Sequence, residues 1–220
     1  MPEAFMNDSD IGTKVRLMAA AKKVFADRGF KETTVREICA LAGANLAAVN
    51  YHFGSKNKLY SEVLGDFLSF AFSRFPIDVG VCPDSPPADR LRAYIRGFLY
   101  RMLGDGDPLY EKLGKLLMAE MLEPSEHFIA TLERYIEPTY EVLQHIVREL
   151  LPNAVEDIVH RCAGSIVGQC LLFDHAKGII QRMCPELALE AGSLERAADF
   201  IADFSLGGIS RLEAGENACP

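Results

Sequence analysis

The chain has 220 residues, of which 49% are hydrophobic, with no tryptophan and a formal net charge of −8. That length can bury a sizeable core as one large or two small domains, and an aliphatic-rich composition with few alternating β-branched runs points to an all-α protein. No signal-peptide core precedes the first helix and no uncharged apolar run is long enough to span a bilayer, so a cytoplasmic protein with no membrane partner is expected.

About nine helices are legible in chain order. Residues 1–12 read as a disordered arm. Thr13 caps a first helix whose stripe of Leu17, Ala21, Val24 and Phe25 fits a core face, with Gly29 past its end and Phe30 placed to fold back on Phe25. Two short helices follow, over 34–42 and 45–52, and then a long helix from Lys56 to about Phe75. Proline-rich sequence to Pro87 makes a loop. Helices are expected over 88–103 and 109–122, then over 125–151 with a bend or split at Pro138. Asn153 with Glu156 resembles a capping pair for a helix to about Lys177, and Ser193 caps the last helix, with Gly207 and Gly208 ending it. The tail after Arg211 reads as disordered.

The stretch from Thr33 to Lys58 carries the chemistry. Thr34-Val35-Arg36-Glu37 spells a capping box, in which hydroxyl and carboxylate satisfy backbone N–H groups that the first helical turn leaves unpaired. Ile38, Leu41 and Ala42 recur at helical spacing, Gly43 supplies a sharp turn, and Asn45 is a favoured N-cap. The product is a helix-turn-helix. With Val49 buried, Phe53 and less fully Leu46 share its side, while Ala47, Ala48, Asn50 and Tyr51 face outward. Asn50 can pair bidentately with an adenine edge, Ala48 can touch a thymine methyl, and the two alanines let the backbone lie close in a major groove. Lys56 and Lys58 can reach phosphates from the next helix start.

Charge is divided in the same sense. Residues 13–60 hold nine basic and three acidic side chains, a net of +6, so the remainder carries −14. A basic head on an acidic body confines nonspecific DNA affinity to one end, where counterion release drives it.

The run from about Thr13 to Tyr60, and above all AVNYHFGSKNKLY, resembles the N-terminal domain of the TetR family of bacterial transcriptional regulators. The rest resembles a sub-branch with a CecR/CerR-type C-terminal domain. This resemblance implies a DNA-binding domain over 1–55 and a helical effector-binding and dimerisation domain over 56–220. It also implies a homodimer on a pseudo-palindromic double-stranded DNA operator, acting as a repressor released by a small apolar or amphipathic inducer. DNA contacts are expected from Thr33, Thr34, Asn45, Leu46, Ala47, Ala48, Asn50, Tyr51, His52 and Lys56. The family usually has Tyr where this sequence has Asn50, with its ring at Tyr51, so the phosphate contact of that position is open between the two. The last two helices are implied to form a four-helix dimer interface, with candidate residues Gly164, Gly168, Leu171, Leu194, Ala197, Ala198 and Ile201.

Aromatics and methionines of the midsection, Tyr94, Phe98, Met102, Met118, Met121, Phe128 and Tyr135, are candidates for an adaptable apolar ligand pocket. No nucleophile, base and orienting carboxylate can be grouped, and no phosphate-binding glycine loop or zinc-protease spacing occurs, so an enzyme is not expected. The six cysteines show no metal-ligand grouping with the histidines, and neither metal nor cofactor is expected. The competing reading is an architectural or interaction protein with the same DNA-binding head, controlled by a protein partner without a small inducer.

Overall fold

The computed structural model describes residues 8–104, 106–187 and 193–216, which are helical apart from their connecting turns. The helices are α1 (Asp8–Glu32), α2 (Val35–Ala42), α3 (Leu46–Phe53), α4 (Lys56–Arg74), α5 (Pro87–Leu103), α6 (Pro108–Leu122), α7 (Ile129–Thr131), α8 (Glu137–Leu150), α9 (Glu156–His175), α10 (Lys177–Met183) and α11 (Leu194–Glu216). They form two compact units, residues 1–70 with 106–135 and residues 71–105 with 136–220. These units cut across the boundary expected at residue 55, because α4 as far as Phe70 and all of α6 group with the N-terminal helices.

In the first unit, α1 begins at Asp8, so Asp8–Gly12 are helical where an arm was expected; residues 1–7 lie outside the described part. Gly29, at φ 72° and ψ 178°, breaks α1 near its end. A Cβ would disfavour that conformation, which glycine adopts freely. The break turns Phe30 back, with its ring centroid 6.2 Å from that of Phe25 and 4.8 Å from that of Tyr60. Helix α6 packs on α1 and is capped by Asp107, whose carboxylate accepts from the Leu109 and Tyr110 N–H groups.

The expected bend near Pro138 takes a specific form. A π-helical turn, Leu132–Ile136, runs directly into α8, whose first turn holds the proline. The proline ring, which has no N–H to donate, thus sits where the hydrogen-bond register changes from π to α.

The second unit is built on α5, α8, α9 and α11. Their apolar faces meet in one core that includes Leu91, Ile95, Leu143, Val147, Val159, Ile166, Ala198 and Ile201. Arg90 pairs with Glu149 and Arg92 with Asp203, tying α5 to α8 and α11. Such partly exposed pairs add little to stability. Three local expectations change. Val155, with no side-chain cap, precedes α9, so Asn153 does not cap it. A short α10 follows α9 in a segment for which the sequence predicts no element. Helix α11 runs through Gly207 and Gly208 to Glu216, because neither glycine takes a positive φ; residues 217–220 lie outside the described part.

Candidate nucleic-acid interface

The helix-turn-helix is assembled by local hydrogen bonds that its sequence encodes. The Thr34 hydroxyl accepts from the Glu37 N–H at 3.3 Å, and the Glu37 carboxylate accepts from the Thr34 N–H at 2.9 Å, completing the capping box. These Thr34 contacts, with an ion pair to Arg28, hold the Glu37 carboxyl below its ordinary range. Gly43 closes α2 at φ 61° and ψ 39°, the left-handed conformation that ends helices and favours glycine. Asn45 then caps α3, its side-chain oxygen accepting from the Ala48 N–H at 2.9 Å.

Two further braces fix the turn. The buried Cys39 thiol donates to the Asn45 carbonyl at 3.3 Å. Arg16 reaches from α1 to donate through Nε to the Ala42 carbonyl at 3.1 Å. Arg16 therefore serves the last turn of α2, a role invisible in the sequence because the two residues are 26 apart.

Helix α3 presents the expected faces. Val49 and Phe53 are buried, and Leu46 is 49% exposed. Outward stand Ala47 and Asn50, both exposed, Tyr51 at 71% exposure, and the half-buried Ala48 and His52. The Tyr51 and His52 rings meet edge to face at 4.9 Å. An eight-residue helix with small residues and one amide on its open side can approach base edges closely. Lys56, at the start of α4, holds its ammonium 4.3 Å from the centroid of the Phe30 ring.

Thr33 needs correction as a candidate DNA contact. It is 1% exposed, and its hydroxyl donates to the Gly29 carbonyl at 2.7 Å. The break at Gly29 presents that carbonyl to it, so Thr33 is a structural residue joining α1 to α2. Thr34 is exposed, but its hydroxyl is engaged in the cap.

The other candidate residues separate by burial. Leu194, Ala198 and Ile201 lie in the core of the second unit and leave little surface for contact with another subunit. Gly164 and Gly168 are exposed on α9, and Ala197 and Leu171 are half-buried. The open face of α11 holds instead Phe200 and Phe204, 69% and 65% exposed, with rings stacked at 6.3 Å. These aromatics were missed, although their spacing of four was readable.

The seven candidate pocket residues fall in different units. Tyr94, Phe98 and Met102 belong to the second, where Tyr94 is buried and its ring stacks on Phe98 at 6.0 Å. Met118, Met121, Phe128 and Tyr135 belong to the first, where Phe128 is fully buried and Met121 is exposed. Tyr94 and Phe128 are thus core side chains. Among the described residues, no cluster of three or more His, Cys, Asp or Glu could hold a metal ion, and no helix is long and apolar enough to cross a membrane.

Comparison with known proteins agrees with this geometry. Residues 17–63 match the model of bacterial regulatory proteins of the TetR family, and residues 87–209 match the C-terminal domain of the HTH-type transcriptional dual regulator CecR. The chain is 30% identical over 187 residues to that dual regulator from Shigella flexneri, covering 76% of this chain and 78% of the relative. It is 46% identical to the HTH-type transcriptional repressor KstR2 of Mycolicibacterium smegmatis, over 59 residues that make up 27% of this chain and 29% of the repressor. In fold it is similar to a TetR-like transcriptional regulator from Rhodococcus sp. RHA1, with a TM-score of 0.60 and 19% identity over 96% of this chain and 98% of that one. With a head that matches along α1 to α4 and a C-terminal match spanning more than half of its length, the chain belongs to the TetR family of DNA-binding transcriptional regulators, in the branch with a CecR C-terminal domain.

Proposed function

We propose that this regulator is a repressor, that it holds a pseudo-palindromic operator as a homodimer, and that a small apolar or amphipathic inducer releases it. The observation that carries the reading is the open side of α3, where Ala47, Asn50 and Tyr51 are exposed beside a basic head. One short helix with a single base-reading amide specifies too little sequence alone. Two copies set about 34 Å apart, or somewhat more, read two half-sites. The Mycolicibacterium smegmatis relative is a repressor, which supports the direction of control.

A second copy has a suitable surface to meet. Gly164, Gly168 and Leu172 form an exposed stripe on α9, and Phe200, Phe204, Gly208 and Leu212 form one on α11. Small residues on one helix and bulky ones on the other suit close helix packing between subunits. For the inducer, Phe98 and Met102 of the second unit are half-buried and retain surface for a ligand, unlike Tyr94.

Footprinting on the DNA beside the protein's own gene locates the operator, and titrations against it separate the contact classes. Asn50→Ala should relax preference at one position of each half-site. Lys56→Ala should weaken all sequences alike and flatten the salt dependence by about one unit per protomer. A base preference that moves with Lys56 and not with Asn50 would overturn these assignments. Screening compounds for release of that DNA tests the inducer, and failure of every apolar or amphipathic class would favour control by a protein partner.

A further inference from the structure

We infer that Tyr60 and Glu120 are positioning residues for DNA binding, acting through the ring of Phe30 on the Lys56 ammonium. The inference rests on the proposed phosphate contact of Lys56. Tyr60 lies one turn after Lys56 on α4, so the two share a face of the helix. Its ring is 1% exposed and stands 4.8 Å from that of Phe30, tilted by 47°, with Phe25 edge-on to it at 5.0 Å. On Phe30 rests the Lys56 ammonium, 4.3 Å from the ring centroid. The negative face of an aromatic ring attracts a cation, so the orientation of Phe30 selects where the ammonium sits.

What orients Tyr60 is a carboxylate at the end of α6. The Tyr60 hydroxyl donates to Glu120 Oε1 at 2.9 Å, and the other oxygen, Oε2, accepts from the Ser125 N–H at 3.0 Å. Glu120 is 8% exposed, which makes both bonds costly to lose. A second tie runs parallel to the first, for the Ser61 hydroxyl donates to the His127 carbonyl at 2.8 Å. The His127 ring itself lies 5.9 Å from that of Phe30. Glu120, Ser125 and His127 thus tie the first turns of α4 and the Phe30 ring beneath Lys56 to α6 and the segment that follows it. No such arrangement is needed merely to bury Tyr60, since a phenylalanine would fill that volume without requiring a buried carboxylate.

The test uses the full-length protein and a random-sequence duplex of about 30 base pairs, with binding followed by fluorescence anisotropy across a salt series. Tyr60→Phe keeps the ring and removes only the hydroxyl, and thermal melts establish that each variant is folded. Tyr60→Phe is expected to weaken binding several-fold in the wild-type background and to have no further effect in the Lys56→Met background. A merely structural role for Tyr60 would give the same fold-loss in both backgrounds, and that result overturns the inference. Phe30→Leu provides a second reading: it keeps apolar bulk but removes the ring face, and it should be equally silent once Lys56 is gone. An additive Phe30→Leu effect also counts against the inference. Should Lys56→Met leave the salt dependence unchanged, the phosphate role of Lys56 fails and this inference fails with it. A flattened dependence combined with additive Tyr60→Phe losses sinks the inference alone.

Discussion

Gly164 and Gly168 provide the sharpest test of assembly, because within one subunit their substitution should do no harm. A Cβ built on either meets no atom within 4 Å, and both lie inside α9 without positive φ. In an isolated subunit, replacing each by alanine should therefore stabilise the helix by up to about 1 kcal/mol, the usual difference in propensity. That gain is present in monomer and dimer alike, so it cancels from the dimer dissociation constant. If α9 packs closely against a second copy, each added methyl overpacks the contact by roughly 1–3 kcal/mol, which corresponds to about a five- to 150-fold weakening per site. Sedimentation equilibrium of Gly164→Ala/Gly168→Ala reads the dissociation constant, and a thermal melt at low concentration reads the subunit. The expected pairing is a weaker dimer made of a more stable subunit. An unchanged dissociation constant would remove α9 from the interface, and the exposed Phe200 and Phe204 of α11 would be tested next by Phe204→Ser.

Gly97 should respond in the opposite way: its Cβ would stand 2.5 Å from the Pro76 carbonyl oxygen and 2.8 Å from Ile77 Cα, both backbone atoms, so Gly97→Ala should lower stability by about 1–3 kcal/mol or more in urea unfolding. Thr34→Ala should cost about 1 kcal/mol by removing the cap of α2. The depressed Glu37 carboxyl gives stability that is present above its unfolded value and lost as pH falls through the lower folded one; the fall between pH 5 and acid should accordingly be shallower in Thr34→Ala, by pH-dependent denaturation. Among the described cysteines, a thiol reagent should label Cys82 early, since it is exposed and its hydrogen bond with Ser85 lowers the thiol's pKa and so favours the thiolate, and Cys170 last, since burial pushes the pKa of that thiol up to about 12. Mass spectrometry of timed labelling decides this, and Cys82→Ser should remove an early phase.

The parts of this protein legible in the sequence are those in which a side chain answers its own backbone. Thr34 with Glu37, Gly43 and Asn45 act within four residues of themselves, so spacing alone reveals the helix-turn-helix. Thr33 was misread for the complementary reason. Whether its hydroxyl meets phosphate or carbonyl depends on the break at Gly29, and neighbouring residues do not reveal which carbonyl that break will turn toward it. Helix α11 shows a different limit. It has apolar residues on two sides, and periodicity finds both without saying which one the subunit keeps. The core takes Leu194, Ala198 and Ile201 and leaves Phe200 and Phe204 outside. Burial likewise separates Tyr94 and Phe128 from the half-buried midsection side chains, a distinction that composition cannot supply.

The grouping of α6 with the N-terminal helices changes how control of the head should be framed. A module of residues 1–55 alone would lack both Tyr60, which packs against Phe30, and the carboxylate that accepts from its hydroxyl, since Glu120 is 60 residues further along the chain. Nor would it have Lys112, which pairs with Asp27 on α1. The unit that holds α3 therefore includes a helix from the middle of the sequence, preceded and followed along the chain by segments of the second unit. Any ligand that prefers one placement of α6 over another acts on the DNA-reading unit without unfolding it, because the preference is transmitted through bonds already present. Couplings of this kind typically amount to about 1–3 kcal/mol, or roughly five- to 150-fold in DNA affinity. The same cycle requires DNA to weaken that ligand's binding by the same factor. Titrating an active compound with and without saturating operator duplex measures it, and equal affinities in the two titrations would exclude this route for that compound.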